Sequence, residues 1–99
     1  MNPLNCSMET PMREGYLDGA RVDSRAALHR ILARELELPE WYGGNLDALY
    51  DCLTELGEET VLRVTHQEAL AEKLGSVAQG LFQVLKDAEM ENPWLRVEV

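Results

Sequence analysis

The sequence predicts an α/β domain in which a three-stranded parallel sheet packs against about four helices. Residues 60–65 are rich in β-branched residues and residues 94–99 alternate apolar and polar, as strands do; residues 13–17, before a turn signal, are interpreted as a short strand although Gly15 disfavours it. Two helical patterns lie between each successive pair of strands, which gives the order β-α-α-β-α-α-β. Strands joined by helical crossovers run parallel and are covered by those helices. A chain of 99 residues has room for one such domain with one core.

The first half of the domain is marked by turn and capping residues. The first strand ends at the turn signal Asp18-Gly19. The first helix follows an N-cap at Asp23 or Ser24, and Pro39 is expected to stop it. The second helix, residues 45–56, begins at an N-cap Asn45 and is expected to end at a C-cap Gly57.

The second half is predicted from periodicity alone. After the strand at residues 60–65, helices are expected at residues 67–73 and 77–90, with the last strand at 94–99. Leu81, Leu85 and Ala88 form the buried stripe of the last helix. Residues 1–12 are expected to form a flexible extension, and residues 13–99 the folded domain.

The cysteines and the N-terminal composition predict a cytoplasmic protein. Cys6 and Cys52 do not make a disulfide framework, so both are interpreted as free thiols in a reducing compartment. No signal peptide is evident, and no apolar run is long enough to span a membrane. His29, a lone histidine on the first helix, is expected at the surface or half-buried rather than as a ligand.

The charge balance points away from nucleic acid and anionic membranes. The net charge is −9, from 18 acidic and 9 basic residues. This balance favours a basic partner, although an acidic surface also simply aids solubility. Residues 35–62 contain no Lys or Arg, so their carboxylates are expected to be locally unpaired. Those carboxylates belong to Glu35, Glu37, Glu40, Asp47, Asp51, Glu55, Glu58 and Glu59.

Residues 39–53 are the stretch around which the chain is organised. Two aromatic residues precede two glycines, and a short helix follows. Leu46, Leu49 and Leu53 recur at helical spacing, so one face is buried. Asp47 and Asp51 are four residues apart and therefore share another face, at a cost to the helix of a few tenths of a kcal/mol. A helix with a purely structural role has little reason to carry that repulsion.

The run Leu-Pro-Glu-Trp-Tyr-Gly-Gly-Asn-Leu-Asp-Ala-Leu-Tyr-Asp-Cys-Leu-Thr at residues 38–54 resembles the signature of the barstar family. These proteins are small intracellular inhibitors of secreted bacterial ribonucleases, and the similarity extends loosely over residues 13–99. The resemblance implies the same sheet and helices, no catalysis and no cofactor. It also implies that the chain, monomeric alone, forms a one-to-one complex with a basic, barnase-like ribonuclease. An acidic helix-and-loop surface would then occlude the enzyme's active site.

The resemblance also assigns roles to individual residues. Asp51 matches the family's key aspartate, a carboxylate standing where a substrate phosphate would bind, and Asp47 matches a second contact. Asp87 matches a glutamate that pairs with an enzyme arginine. The aromatic pair at 41 and 42 packs on the enzyme. The candidate partner-binding residues are Trp41, Tyr42, Gly43, Asn45, Leu46, Asp47, Tyr50, Asp51 and Asp87.

Four departures from the family pattern leave the identity of the partner open. Tyr50 stands where the best-known members carry Trp, and Leu56 where an aromatic is common. Asp87 is one methylene shorter than glutamate, and Trp41 replaces a Tyr. A protein that binds a different basic toxin or protein, for example as an immunity protein, is therefore the alternative function.

Structural roles compete with binding at most of these positions. Trp41 could cap the core, and Tyr42 could be half-buried with its hydroxyl satisfied. The two glycines could serve only to allow positive φ, and Asn45 could serve only as an N-cap. Asp87 could be solvated surface. Catalysis has one candidate, an acid–base pair of Asp47 and Asp51, because the sequence has no phosphate loop, nucleophile elbow or metal motif.

Overall fold

The domain alternates strands and helices in the predicted order. A computed structural model describes residues 13–99; the predicted extension of residues 1–12, with Cys6, lies outside the described residues. A short 3-10 turn, Gly19–Arg21, follows the first strand. No helix within residues 13–99 is long and apolar enough to cross a membrane. The elements are β1 (Arg13–Asp18), α1 (Arg25–Glu35), α2 (Leu46–Thr54), β2 (Thr60–Thr65), α3 (Gln67–Leu74), α4 (Ser76–Glu91) and β3 (Leu95–Glu98).

The three strands form one parallel sheet in the order β1-β2-β3. This arrangement confirms the predicted fold class. The register places Tyr16 opposite Arg63 and Arg63 opposite Glu98. Because successive side chains of a strand alternate, Tyr16 and Arg63 point to the same face of the sheet as Glu98.

One face of the sheet carries the core and the other is largely open to solvent. Buried Leu17, Leu62 and Leu95 pack with leucines from all four helices. Parallel sheets are usually covered on both faces. Here Tyr16 is 55% exposed on the opposite face, so polar residues replace a second layer of helices there.

The helix α2 is held by apolar packing on one side and by a buried amide at its end. Its Leu49 and Leu53 are fully buried. The side-chain Nδ2 of Asn92 donates to the carbonyl oxygens of Leu53 (2.8 Å) and Leu56 (3.0 Å). Leu53 lies in the last turn of α2 and Leu56 just beyond it, so their carbonyls have few helical partners and Asn92 satisfies them. The end of α2 is thereby tied to the end of α4.

Helix α1 does not run to Pro39, so that expectation is wrong. It ends at Glu35, and Glu37 adopts a left-handed backbone with φ of 51°. The amide of Leu38 donates to the carbonyl of Ala33 (2.9 Å), and the amide of Glu37 to that of Arg34 (3.4 Å). These bonds form a Schellman motif, which ends the helix before the proline can do so.

The N-caps were predicted more accurately than the C-cap of α2. Ser24, rather than Asp23, caps α1, and Asn45 caps α2 as expected, accepting from the amide of Ala48 at 2.8 Å. The predicted C-cap at Gly57 is wrong, because α2 ends at Thr54 with Glu55 as its C-cap.

Candidate functional site

Three carboxylates from two helices meet on one open concavity. Asp47 and Asp51 project from α2, and Asp87 projects from α4. Tyr50 and Val84 line the same concavity. We call Asp47, Asp51 and Asp87 the acidic surface. The packing of α2 against α4 thus joins the two parts of the sequence that the resemblance singled out.

The acidic surface carries no paired cation. All three aspartates are exposed, and within residues 13–99 none of them takes part in an ion pair. Among residues 13–99, the one hydrogen bond to their side chains is made by Asp87, whose Oδ1 accepts from Nε2 of Gln83 at 2.8 Å. These carboxylates remain available to accept hydrogen bonds from a charged donor, which are stronger than bonds between neutral groups.

The expectation that all carboxylates of residues 35–62 are unpaired is wrong for three of them. Arg13 lies 3.5 Å from Glu37 and 3.2 Å from Glu58, and Arg34 lies 3.5 Å from Glu35. Arg13 reaches the stretch through the fold, whereas Arg34 directly precedes it in the sequence. Among the described residues, the carboxylates of the stretch without an ion pair are those of Glu40, Asp47, Asp51, Glu55 and Glu59.

Trp41 lies on the outside of the loop that precedes α2. Its side chain is 63% exposed, which excludes the alternative that it caps the core. The loop turns tightly here, because the amide of Tyr42 donates to the carbonyl of Pro39 at 2.9 Å. A large exposed aromatic beside unpaired carboxylates is a feature of protein-binding surfaces.

The residues between the aromatics and α2 have mixed roles. Gly44 has a φ of 69° and needs the conformational freedom of glycine, whereas Gly43 is not left-handed. Gly43 and Asn45 are both exposed, and Asn45 is also the N-cap. Leu46 is half-buried against α4, where a Cβ on Gly80 would come within 2.8 Å of its Cδ1. Leu46 therefore supports α2 as well as bordering the surface.

Tyr42 faces inward and contacts a buried histidine. Its hydroxyl is hydrogen-bonded to Nδ1 of His29, and the two ring centroids lie 5.8 Å apart. Burial raises the pKa of Tyr42 to about 12, with a smaller contribution from Cys52, so the hydroxyl stays protonated and can donate. Burial, together with the nearby Arg25, lowers the pKa of His29, which favours the neutral imidazole that can accept.

His29 is the site residue that the sequence interpretation placed wrongly. It was expected at the surface or half-buried, yet its side chain is only 6% exposed. The available signal was its spacing, since His29, Leu32 and Leu36 follow the same i, i+3, i+7 pattern as a buried stripe. No pattern in the sequence indicated that Tyr42 would be its partner.

Two further groups with reactive or titratable side chains lie outside the acidic surface, namely Cys52 and the pair Asp18–His66. Cys52 is buried, as expected of a core residue, and burial raises its thiol pKa, with smaller effects from Glu55 and Asp51. The fold also brings Asp18 to His66, with Oδ1 and Nδ1 2.7 Å apart, at the carboxyl ends of β1 and β2. Within residues 13–99, no group of three or more His, Cys, Asp or Glu side chains is arranged to hold a metal ion.

Comparisons with known proteins agree with the fold. A family model described as "Barstar (barnase inhibitor)" matches residues 12–98. The chain is also 35% identical over 81 residues to "Putative ribonuclease inhibitor YrdF" of Bacillus subtilis (strain 168), which covers 81% of this chain and 89% of that protein. The family match runs from β1 into β3 and so includes the loop, α2 and α4 that form the candidate site.

Proposed function

Because the chain belongs to the barstar family, we propose that it is an intracellular inhibitor of a basic, barnase-like ribonuclease. It binds the enzyme one-to-one in the cytoplasm and blocks the active site with its acidic helix-and-loop surface. The observation that carries the proposal is the convergence of Asp47, Asp51 and Asp87, from two helices, on one open concavity without an ion pair among residues 13–99.

The inhibition is occlusion rather than chemistry. An enzyme that cleaves RNA must hold phosphates with Arg, Lys or His side chains. Asp51, in the middle of α2, presents a carboxylate to those donors in place of a phosphate. Asp47 and Asp87 supply further acceptors on the same concavity. No covalent bond is made or broken, so the protein has no need of a catalytic group or a cofactor.

The aromatic residues complete the binding surface around the carboxylates. Trp41 is exposed, and Tyr50 is half-buried beside Asp47 and Asp51. Their rings can cover apolar surface of the enzyme and stack on its cationic side chains. Removing water from the contact in this way strengthens the hydrogen bonds to the carboxylates.

The loop residues contribute polar contacts. The side-chain oxygen of Asn45 already accepts from the amide of Ala48. Its amide NH₂ group is therefore the part that it offers to a partner. Gly43 is exposed and has no side chain, so its backbone can approach the enzyme closely.

The net charge also accelerates association. A total of −9, with unpaired carboxylates concentrated at the site, attracts a basic enzyme over several ångströms. Salt screens this attraction, with a Debye length of about 8 Å at physiological ionic strength. Association is therefore expected to be faster at low salt.

A different basic toxin or protein is the second candidate partner, and Asp87 is the observation that favours it. Its side chain is short, and its Oδ1 is already held by Gln83. A ribonuclease arginine that is placed to meet a glutamate would not reach it equally well. An immunity protein for a toxin of another chemistry would retain the acidic surface but differ in such contacts.

The test is a titration of this protein into a barnase-like ribonuclease at low and physiological salt. Inhibition is expected to be complete at one equivalent. The variant Asp51→Ala should weaken inhibition by roughly 10- to 150-fold. This range corresponds to the loss of about 1.5–3 kcal/mol, which is the contribution of a hydrogen bond to a charged group. Its thermal stability should be unchanged or slightly higher, since repulsion from Asp47 is relieved.

The matched control is Glu72→Ala, which removes the same charge from an exposed position on α3. Glu72 has no ion pair among residues 13–99, so this change should leave inhibition nearly intact. Equal losses in both variants would show that only net charge matters. If the unmodified protein does not inhibit the enzyme, a barnase-like ribonuclease is rejected as the partner and the second candidate is favoured. Turnover of RNA abolished by Asp51→Asn would instead revive catalysis.

A further inference from the structure

The loop that carries Trp41 has few attachments to the rest of the domain. Residues 39–45 connect the Schellman end of α1 to the N-cap of α2. The amide of Tyr42 bonds to Pro39 within the loop, and Asn45 bonds only to the helix that it begins. Apart from that cap on α2, one side-chain hydrogen bond among residues 13–99 joins the loop to another element, and it is the bond between Tyr42 and His29.

We propose that His29 is a positioning residue of the partner-binding surface, which holds the loop 39–45 in its binding conformation through the hydroxyl of Tyr42. This inference rests on the proposed function. His29 itself is 6% exposed, so it cannot form an extensive contact with a partner. It acts by fixing Tyr42, whose chain neighbours Trp41 and Gly43 are both exposed.

The physical reason is the cost of ordering a loop during binding. A backbone and side chains that are already fixed lose less conformational entropy when the partner arrives. The His29–Tyr42 contact is well suited to this role because both groups are sheltered from water. Loss of either group leaves the other buried without a partner, which favours loop conformations that expose it.

Protonation of His29 should release the loop. When the neutral imidazole carries its proton on Nε2, its Nδ1 accepts a hydrogen bond from the hydroxyl of Tyr42. Protonation turns that acceptor into a donor and places a positive charge in a site sheltered from water, which favours loop conformations that expose the imidazolium. Arg25 of α1 and Asp47 of α2 line the cavity next to His29, together with apolar Val77 of α4. Burial and the charge of Arg25 both oppose a positive charge there, while Tyr42 supplies a hydroxyl that stays neutral.

The sign of the pH effect follows from the lowered pKa of His29. The folded protein binds this proton less well than the unfolded chain does. The stabilisation is therefore complete above the ordinary value of 6.5 and is lost as the pH falls from there toward the lowered pKa of the folded state. Partner affinity should decline only as the pH falls through the lowered pKa of the folded protein, because His29 of the free protein becomes protonated there.

Three variants separate positioning from general structure. His29→Leu removes the acceptor, and Tyr42→Phe removes the donor while keeping the ring. His29→Asn places a non-titrating oxygen near the position of Nδ1 and should rescue the contact. Tyr42→Phe is the decisive variant if His29→Leu does not fold.

The first readout is hydrogen exchange of the free proteins, which requires no partner. His29→Leu and Tyr42→Phe should accelerate exchange of the amides of residues 41–45 by about tenfold, while amides of β2 stay within about twofold of the unmodified protein. His29→Asn should leave both regions unchanged. Unaltered exchange at residues 41–45 in Tyr42→Phe would overturn the proposal.

The second readout is affinity for a barnase-like ribonuclease between pH 5 and 8. His29→Leu and Tyr42→Phe should each weaken binding by about tenfold, and the double variant should be no weaker than either. Relative to the unmodified protein, His29→Asn should lack the decline in affinity below pH 6.5, and the enzyme's own titration cancels in that ratio. Faster exchange with unchanged affinity would also reject positioning. If the unmodified protein binds no ribonuclease, the proposed function fails, and exchange alone decides the role of His29.

Discussion

The acidic surface and the open face of the sheet both present exposed carboxylates, yet the two regions differ in whether those carboxylates form ion pairs. On the sheet face, Arg63 lies 2.8 Å from Glu14 and 3.4 Å from Glu98, and its guanidinium lies 6.0 Å from the ring centroid of Tyr16. On the acidic surface, the aspartates of α2 and α4 have no ion pair among residues 13–99. Glu14 and Glu98 on the sheet face therefore share a cation, whereas the carboxylates of the acidic surface have none among residues 13–99.

The difference shows that exposed charge by itself does not mark a binding site. Parallel register places residues from three distant segments side by side, so opposite charges on Arg63 and Glu98 can meet across strands. Helical periodicity instead places Asp47 and Asp51 on one face, where they repel each other. Within residues 13–99, the aspartates of α2 have no ion-pair partner, and this distinguishes the proposed site from an ordinary solvated surface.

After Asp51→Ala, the largest effect on binding should come from a charge-matched pair of substitutions, one in each region. Asp47→Asn should weaken binding to a barnase-like ribonuclease by about tenfold or more, because it removes the negative charge and replaces one acceptor oxygen with an NH₂ group. Glu98→Gln removes the same charge from the sheet face and should leave affinity within about twofold. Stopped-flow association and dissociation rates at two salt concentrations give the affinity of both variants. Equal losses would mean that the two regions do not differ in function.

A buried polar contact should have the next largest effect, and it concerns stability. Asn92→Leu removes the donor to the carbonyls of Leu53 and Leu56 and the acceptor for the amide of Trp94. Because these groups are sheltered from water, the free energy of unfolding should fall by about 1–3 kcal/mol. Urea denaturation measures this loss. An exposed hydrogen bond provides the control, since Gln83→Leu should change stability by less than about 0.5 kcal/mol.

The smallest effect should come from the ion pairs of the sheet face. Arg63→Met deletes both pairs and leaves Glu14 and Glu98 without their shared cation. Since Arg63 is partly exposed, the loss of stability should be at most about 1 kcal/mol, and high salt should reduce it. Thermal unfolding at two salt concentrations, with ribonuclease affinity measured in parallel, tests this expectation. A loss of affinity in this variant would show that the sheet face takes part in binding.

Local pattern was sufficient for the part of the site that lies on a single helix. Asn45 was identified as an N-cap from its residue type and place, and Leu49 and Leu53 as a buried stripe from their spacing. Asp47 and Asp51 follow from the same periodicity. These features depend on interactions between residues that are close in the sequence, so they can be predicted from the sequence alone.

The errors occurred where a residue's state depends on a distant partner or on an uncommon backbone conformation. Glu37 ends α1 in a left-handed conformation that non-glycine residues seldom adopt, so Pro39 was the more obvious stop. Arg13 neutralises Glu37 and Glu58 from a strand outside the acidic stretch. His29 became a buried partner of Tyr42 only because the loop folds back onto α1.

The sequence alone was enough to predict the order of strands and helices, the parallel sheet, the cap at Asn45 and the family, and it narrowed the cap of α1 to Asp23 or Ser24. Those depend on periodicity, residue propensity and a long specific motif. Tertiary structure decided which carboxylates keep their charge unpaired, how Asp87 joins Asp51, and how His29 meets Tyr42. The reason is physical: electrostatic pairing and burial depend on distance in space, and only the packed chain brings residues from separate elements together.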